Sequence, residues 1–330
     1  MPSLAAVAWS LAVPLALAAH PAGAAAQSPA RGPLVIFSAG SLARPMSELA
    51  RAFAERTPGV QWQQESSGSL EAARKLTELG KVPDVLAVAD HRVLEALIVP
   101  RHARWYANFA RGAMVLAYTE RSAGASEING QNWWRILLRP GVRTGRADPV
   151  LDPNGYRTLM VLQLAERHYQ VDGLAARLQA AMPRRFVRAK EADLVALLQA
   201  GELDYAWSYR SLAATLGLRY VELPPEIDLR DTAFAAAYAA ASVRLPGATR
   251  RGADSVTFRG EPIRYALTVP AAAPHPELAH AFAQFALSPD GLAILRRNLF
   301  LVDDRPSFVG DPPAGLVVPV RPRPPARSSR

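Results

Sequence analysis

The sequence predicts an α/β fold in which mainly parallel strands are flanked by helices. Apolar, strand-like runs alternate with amphipathic helical patterns, and Gly, Pro and Ser lie between them. Over the first third of the chain the order is strand, helix, strand, helix, strand, at residues 34–37, 42–53, 60–64, 70–80 and 84–90. This order is typical of parallel strands joined by helical crossovers.

Each of these first elements follows from its own residues. The apolar run Leu34–Phe37 is bounded by Gly-Pro and by Ser-Ala-Gly-Ser, as expected of a short buried strand. In the next segment Met46, Leu49 and Phe53 share one helical face. The second helical pattern stops at Gly80, a residue type that commonly ends helices.

The rest of the chain repeats this alternation less regularly. The region 224–262 is rich in Pro, Gly and Ala, and we assign no element there. From Pro312 the chain is dense in Pro and Arg, so a disordered tail is expected over 312–330. The patterns predict strands at 113–119, 205–207, 220–223 and 263–269, and helices at 156–169, 191–200, around 278–285 and at 289–298.

The composition excludes several classes of function. The 330 residues are 50% apolar and 20% charged, which fits a globular protein, and Cys is absent. Thiol catalysis, thiolate metal sites and a lipid-anchored cysteine are therefore excluded. The six His residues are scattered, and the metalloprotease, hydrolase-elbow and P-loop patterns are missing. We expect a protein that is not an enzyme.

The amino terminus predicts export. Residues 4–19 are almost wholly apolar, small residues follow, and Ala24-Ala25-Ala26 precedes Gln27 as a cleavage site would. We interpret residues 1–26 as a signal peptide and the mature protein as periplasmic. No Lys or Arg precedes the apolar run, and an apolar amino-terminal helix of the domain is the alternative.

The net charge of +9 indicates an anionic ligand or an anionic surface, although a solvated basic surface would also account for it. Nucleic acid is disfavoured as a partner because the basic residues are dispersed rather than grouped with aromatic residues.

Three turns share a design that suits an anion. A strand ends, a short turn with Ser or Gly follows, and a helix begins at Gly40-Ser41, at Ser69 and at 152–156. The first turn of a helix carries unpaired N–H groups and a partial positive charge. Helix capping alone would explain each turn separately.

Two acids and a tyrosine accompany these turns. Asp152 is the first residue of the third turn, Glu191 opens the helix at 191–200, and Tyr209 lies in the run 203–211. Each also has a structural interpretation, because Asp favours turns, Glu in a first turn complements the helix dipole, and Tyr packs in half-buried positions.

Taken together, the chain resembles the tungstate/molybdate-binding proteins of the periplasmic-binding-protein class, in the branch often seen in archaea. The matching pieces occur in family order and cover most of residues 34–300. They are FSAGSL at 37–42, ESSGSLEAARKLTELGKVPDVLAVAD at 65–90, NWW at 132–134, DPNGYR at 152–157, KEADLVALLQAGELDYAWSYRS at 190–211 and YVELPPEIDL at 220–229. The segment between Asp152 and Glu191 is shorter than in the family, and 224–262 is less recognisable.

The resemblance implies a two-lobed periplasmic-binding-protein fold of type II, each lobe a mixed, mainly parallel sheet flanked by helices. Lobe 1 would comprise residues 33–113 and 267–305, and lobe 2 residues 114–266. The ligand would be tungstate or molybdate, with no other cofactor. The family's oxyanion ligands fall on Gly40, Ser41, Ser69, Asp152, Pro153, Asn154 and Tyr209, and Asp152 and Glu191 would coordinate the metal of the oxyanion.

The resemblance also implies the partners. A membrane permease of an ABC transporter would receive the ligand, and the ATPase would be a separate chain because no P-loop occurs here. We expect a monomer. Sulfate, phosphate and ferric iron remain alternative ligands on this fold, and a hydrolase using Asp152 and Glu191 as acid and base remains an alternative activity. Iron is disfavoured because Tyr205 and Tyr209 would be about 13 Å apart along one strand.

Overall fold

A computed structural model describes residues 32–247, 254–303 and 305–316. The strands are β1 Gly32–Ala39, β2 Val60–Ser67, β3 Val85–Val88, β4 Trp105–Arg111, β5 Met114–Tyr118, β6 Thr144–Ala147, β7 Val187–Arg188, β8 Tyr205–Tyr209, β9 Arg219–Glu222, β10 Ser242–Pro246, β11 Ser255–Arg259, β12 Arg264–Thr268 and β13 Ser307–Gly310. The helices are α1 Ala43–Arg56, α2 Ser69–Leu79, α3 His91–Leu97, α4 Trp133–Leu137, α5 Pro153–Tyr169, α6 Leu174–Ala180, α7 Glu191–Ala200, α8 Arg210–Thr215, α9 Ala235–Tyr238, α10 Pro276–Ala286 and α11 Pro289–Arg297.

Two mixed sheets organise the chain. The first has the order β13-β4-β12-β3-β1-β2, with β1 parallel to β2 and β3, and with β12 antiparallel to β3 and β4. The second has the order β7-β6-β8-β5-β9, with β6 parallel to β7 and β8, and with β5 antiparallel to β8 and β9. The predicted α/β architecture is confirmed.

We call the part that carries the first sheet the first lobe and the part that carries the second sheet the second lobe. Strands of the first sheet come from 32–111 and 264–310, and strands of the second from 114–222. Strand β12 lies wholly in the first sheet, although the predicted boundary between the lobes falls within it, at residues 266 and 267. Strand β13 also belongs to the first sheet and lies beyond residue 305, the predicted end of lobe 1. The lobe boundaries themselves stay a prediction.

Buried apolar side chains form the core of the first lobe. All four residues of β3 are buried, and β1 lies between β2 and β3 with Leu34 and Ile36 fully covered. The predicted apolar face of α1 is buried, and its Phe53 packs edge-on against Phe282 of α10, with 5.6 Å between ring centroids. Helices α1 and α10 thereby cover the sheet.

Helix ends follow local rules. Gly80 ends α2 in the left-handed region, with φ of 63°, as its position predicted. Helix α5 begins at Pro153, earlier than the predicted start at residue 156, because the side chain of Asp152 caps it and proline suits its first turn.

The region without predicted elements is partly ordered. It contains the short helix α9 and an antiparallel hairpin of β10 and β11.

Residues 312–316 of the predicted tail are described, and Ala314–Leu316 form a 3-10 helix with Leu316 buried. The rest of the predicted tail and the predicted signal peptide at 1–26 lie outside the described residues.

The two lobes are in direct contact. The backbone N–H of Glu71 in α2 donates to the carbonyl of Leu151 at 3.1 Å. The buried guanidinium of Arg74 donates to the carbonyls of Val150 at 2.5 Å and of Pro246 at 2.9 Å, beside the second lobe. These bonds join the two sides of the cleft. Within the described part of the chain, no helix combines the length and the apolar character that a membrane crossing needs.

Candidate functional site

Asp152 lies where two helices begin. Its Oδ1 accepts the N–H of Asn154 at 2.9 Å, at the start of α5, and its Oδ2 accepts the N–H of Glu191 at 3.2 Å, at the start of α7. The residue is only 4% exposed. Because each helix start offers unpaired N–H groups and a partial positive charge, the carboxylate is drawn between them. This contact brings the two predicted acids together.

Glu191 has one satisfied oxygen and one free oxygen. Its Oε1 accepts the hydroxyl of Ser208 and the N–H of Tyr209, both at 2.6 Å. Its Oε2 is buried and has no hydrogen-bond partner among the described residues. A buried acceptor without a partner costs free energy, and such groups often mark a place that a ligand occupies.

Burial raises the pKa of both acids, and the charge of Asp152 further destabilises the charge of Glu191. Burial, and then the charge of Asp152, raises the pKa of Glu191 to about 8. Burial also raises the pKa of Asp152 to about 6, although the N–H groups of Asn154 and Glu191 oppose this increase. Shifts of this kind, at two neighbouring carboxyl groups in a cleft, are typical of functional sites.

Ser41 approaches this pair from the first lobe. It lies in the 3-10 turn Gly40–Leu42 at the end of β1 and is 5% exposed. A side chain built on Gly40 would meet Cβ of Lys190 at 3.8 Å, so this turn packs against the start of α7. The first predicted anion turn therefore lies next to Glu191.

Ser69 is the first residue of α2 and is fully buried. Its Oγ accepts the N–H of Ala89 at 3.0 Å. Since this bond uses the oxygen as an acceptor, the hydroxyl proton remains available for donation to a ligand.

The hydroxyl of Tyr209, like that of Ser69, accepts a hydrogen bond and keeps its proton available. Its hydroxyl oxygen accepts a hydrogen bond from Nη1 of Arg157 at 3.0 Å, which leaves the hydroxyl proton available. Arg157 also donates to the carbonyl of Ala89 at 2.7 Å, and its Nη2 lies 2.9 Å from Oδ2 of Asp90. Burial lowers the pKa of Arg157, but the carboxylate of Asp90 together with Tyr209 and Tyr156 outweighs burial and raises the pKa, so the arginine remains charged.

Asn154 and Pro153 position the first turn of α5 beside the site. The amide of Asn154 accepts the N–H of Ala147 at 3.4 Å and donates to the carbonyl of Trp207 at 3.1 Å, which ties α5 to β6 and β8. Pro153 occupies the first turn of α5. These contacts give both residues a positioning role, and their direct contact with a ligand stays a prediction.

Sequence reasoning missed Arg157. It ends the DPNGYR motif but lies on the buried face of α5, where an arginine is uncommon. The signal that could have found it is its place one helical turn beyond Asn154, on the same buried face.

A second group of ionisable side chains lies beside the cleft. Ligand atoms of Asp90, His91 and Glu261 lie within 4.8 Å of one another. Arg157 lies 2.9 Å from Asp90, however, and Arg92 lies 3.6 Å from Glu261. Because both acids already face a cation, this group is an ion-pair network and does not compete with the Asp152–Glu191 site as a candidate.

The arrangement at Asp152 and Glu191 suits an oxyanion of a high-valent metal. Ser41, Ser69 and Tyr209 offer buried hydroxyl groups near the two buried carboxyl groups, and Glu191 retains an oxygen that has no partner among the described residues. Hydroxyl groups bind oxo atoms, whereas carboxylate oxygens bind a hard cationic centre.

Residues 34–301 match the family model described as "Bacterial extracellular solute-binding protein". The chain belongs to this bacterial extracellular solute-binding protein family. A solute-binding protein of Petrotoga mobilis is 44% identical over 292 residues, which are 88% of each chain. The molybdate/tungstate-binding protein WtpA of Pyrococcus abyssi is 38% identical over 291 residues, covering 80% of this chain and 83% of that protein. The resemblance inferred from the motifs is confirmed.

Solved structures agree with the fold of this solute-binding protein. The periplasmic molybdate-binding protein of Azotobacter vinelandii superimposes with a TM-score of 0.58 over 82% of this chain and 100% of that chain, at 16% identity. The predicted type II periplasmic-binding-protein fold is therefore confirmed. Membership in an extracellular family also supports a location outside the cytoplasm.

The raised pKa of Glu191 makes stability depend on pH. A carboxyl group with a folded pKa of about 8 and an ordinary value of 4.5 favours folding below pH 4.5. This contribution is lost as the pH rises through 8. We predict that the free energy of unfolding of the ligand-free protein falls between pH 5 and pH 8.5, and that Glu191→Gln reduces this fall by about 1 kcal/mol or more.

Denaturant unfolding at the two pH values measures this effect. Asp193→Asn is the matched control, because Asp193 lies in the same helical turn with a side chain that is 40% exposed. An identical pH dependence in the wild type and in Glu191→Gln would contradict the prediction.

Proposed function

We propose that this protein captures tungstate or molybdate outside the cytoplasm and delivers it to the permease of an ABC transporter. The observation that carries the proposal is the free, buried Oε2 of Glu191 beside the carboxylate of Asp152, in a cleft that also contains hydroxyl donors. The identity to a protein named for molybdate and tungstate binding supports the same ligand class.

Asp152 and Glu191 disfavour sulfate and phosphate as ligands. Two unit charges 4 Å apart interact by about 4 kcal/mol at an effective dielectric constant of about 20. In their ionised forms, which coordination to a metal requires, the two carboxylates would therefore strongly repel a dianion unless they bind its central atom. Molybdenum(VI) and tungsten(VI) accept hard oxygen ligands and expand from four to six ligands, whereas the sulfur of sulfate does not. The same pair thus attracts one class of oxyanion and rejects the other.

Each group then has a role. Asp152 and Glu191 add two oxygens to the four oxo atoms of the ligand and complete an octahedron. Ser41, Ser69 and Tyr209 donate their hydroxyl protons to the oxo atoms, with backbone N–H groups at the Gly40 turn. The captured oxyanion is the transported ligand, and no other cofactor is invoked.

Capture proceeds by closure of the lobes. Ser41 and Ser69 belong to the first lobe, whereas Asp152, Glu191 and Tyr209 belong to the second. A ligand that contacts both sets stabilises the closed form relative to the open one. The contacts of Arg74 and Glu71 across the cleft add to that stability.

Delivery and location complete the proposal. Residues 1–26 act as the signal peptide, and the mature protein binds its ligand as a periplasmic monomer. The ATPase is a separate chain, since the sequence has no P-loop. The function is stoichiometric binding, not catalytic turnover. Ferric iron is disfavoured as the ligand because Tyr205 and Tyr209 do not converge on one centre. Both residues lie on the unbroken strand β8, and the hydroxyl of Tyr205 donates to the carbonyl of Ala123 at 2.6 Å.

Glu191→Gln tests the coordination role. Glutamine keeps an acceptor for Ser208 and Tyr209 but removes the negative charge and the carboxylate ligand. We expect the tungstate dissociation constant to rise at least tenfold, about 1.4 kcal/mol, while sulfate binding becomes stronger. Calorimetry with tungstate, molybdate and sulfate measures both changes, and Asp193→Asn should behave as the wild type. If neither affinity nor selectivity changed, coordination by Glu191 would be excluded.

Gly68→Ala tests lobe closure. The Gly68 backbone, with φ of −63° and ψ of 145°, accepts alanine, but the new Cβ would lie 2.2 Å from the carbonyl oxygen of Leu151 across the cleft. We predict that each lobe stays folded, that tungstate affinity falls at least tenfold, and that small-angle X-ray scattering shows a larger radius of gyration than for the wild type with saturating tungstate.

Gly315→Ala is the control for this variant, because a Cβ there meets no atom within 4 Å. Wild-type affinity and compaction in Gly68→Ala would mean that the ligand does not require the closed arrangement.

A further inference from the structure

One buried tyrosine hydroxyl lacks a partner. Tyr265, in β12, is fully buried, and its hydroxyl has no hydrogen-bond partner in the described part of the chain. The other fully or almost fully buried tyrosines each have a hydroxyl partner: Tyr106 has Glu95, Tyr156 has Asp90, Tyr205 has Ala123, Tyr209 has Arg157 and Tyr238 has Pro225.

Tyr265 lies beside the candidate site. The ring of Tyr265 contacts the ring of Tyr209 edge-on, with 5.8 Å between their centroids. Burial and then the charge of Glu191 raise the pKa of Tyr265, whereas the nearby hydroxyls of Ser211 and Ser41 oppose the increase. The Oγ of Ser211 is itself buried without a partner among the residues described. Three hydroxyl groups and a carboxylate thus approach one another.

Tyr265 also lies where the chain passes between the lobes. A Cβ built on Gly112, between β4 of the first sheet and β5 of the second, would lie 3.0 Å from a ring carbon of Tyr265 and 3.5 Å from its hydroxyl oxygen. Tyr265 therefore contacts the segment that crosses between the two lobes.

A buried hydroxyl without a partner is unfavourable, and native proteins retain such groups mainly where a ligand or water supplies the partner. We propose that Tyr265 is a further oxyanion-binding residue, whose hydroxyl donates a hydrogen bond to an oxo atom of the captured ligand. Ser211 donates in turn to the oxygen of Tyr265 and acts as a positioning residue. The inference rests on the proposed function.

This arrangement adds a selectivity element to the site. Because Ser211 uses the acceptor capacity of the Tyr265 oxygen, the phenol faces the ligand as a donor. It therefore favours an oxygen atom that carries no proton, as in tungstate or molybdate, over the protonated oxygen of hydrogenphosphate.

Tyr265→Phe, compared with Tyr205→Phe, tests the proposal by calorimetry with tungstate and by thermal unfolding of the ligand-free protein. For Tyr265→Phe we expect about a tenfold loss of affinity with little change in the unfolding temperature, because the hydroxyl proton that is removed has no acceptor in the ligand-free protein. For Tyr205→Phe we expect the reverse: a lower unfolding temperature, from loss of the bond to Ala123, and an affinity within about twofold of the wild type.

Ser211→Ala provides an independent measurement. It should weaken tungstate binding in the wild type but not in the Tyr265→Phe background, because its effect passes through the phenol. Unchanged affinity in Tyr265→Phe, or a loss that accompanies a lower ligand-free unfolding temperature, would overturn the proposal. A wild-type protein that bound neither tungstate nor molybdate would instead overturn the proposed function and this inference with it.

Discussion

Two carboxyl groups held side by side in a buried cleft are the constraint on which the site depends. Asp152 is fixed by N–H groups at the starts of α5 and α7, and Glu191 is fixed by Ser208 and the N–H of Tyr209. These bonds fix the positions of the acids, while burial and the charge of Asp152 raise the pKa of Glu191 to about 8 and so make its ionised form unfavourable. A centre that accepts their oxygens as ligands would relieve this unfavourable interaction, whereas an ordinary dianion would increase it.

The groups behind the acids connect the two lobes. Ala89 of the first lobe donates its N–H to Ser69 and accepts from Arg157 of the second lobe through its carbonyl. Arg157 in turn donates to Tyr209. The backbone of Ala89 thus helps to orient the hydroxyl groups of Ser69 and Tyr209, which lie in different lobes. Both hydroxyl protons remain available for donation to a ligand. The contacts that orient the hydroxyl donors are therefore also contacts between the lobes.

Much of this arrangement follows from the sequence, and the remainder depends on distant contacts. Helix α7 begins and ends where its pattern predicts, and the turn at Asp152 follows from capping chemistry. Arg157 was missed because its burial depends on Asp90, which lies far away in the chain. Tyr265 has the sequence context of an ordinary core aromatic, and only its surroundings distinguish it. The β10–β11 hairpin was missed because Pro and Gly in that region obscure its alternation.

Asp152 and Glu191 are proposed to bind the metal itself, so X-ray absorption at the tungsten edge tests their role most directly. The protein would be loaded with one equivalent of tungstate and compared with free tungstate in solution. We predict six oxygen neighbours, of which two are longer and are absent from the free ion. A tetrahedral spectrum with four equivalent oxygens, unchanged from free tungstate, would contradict it.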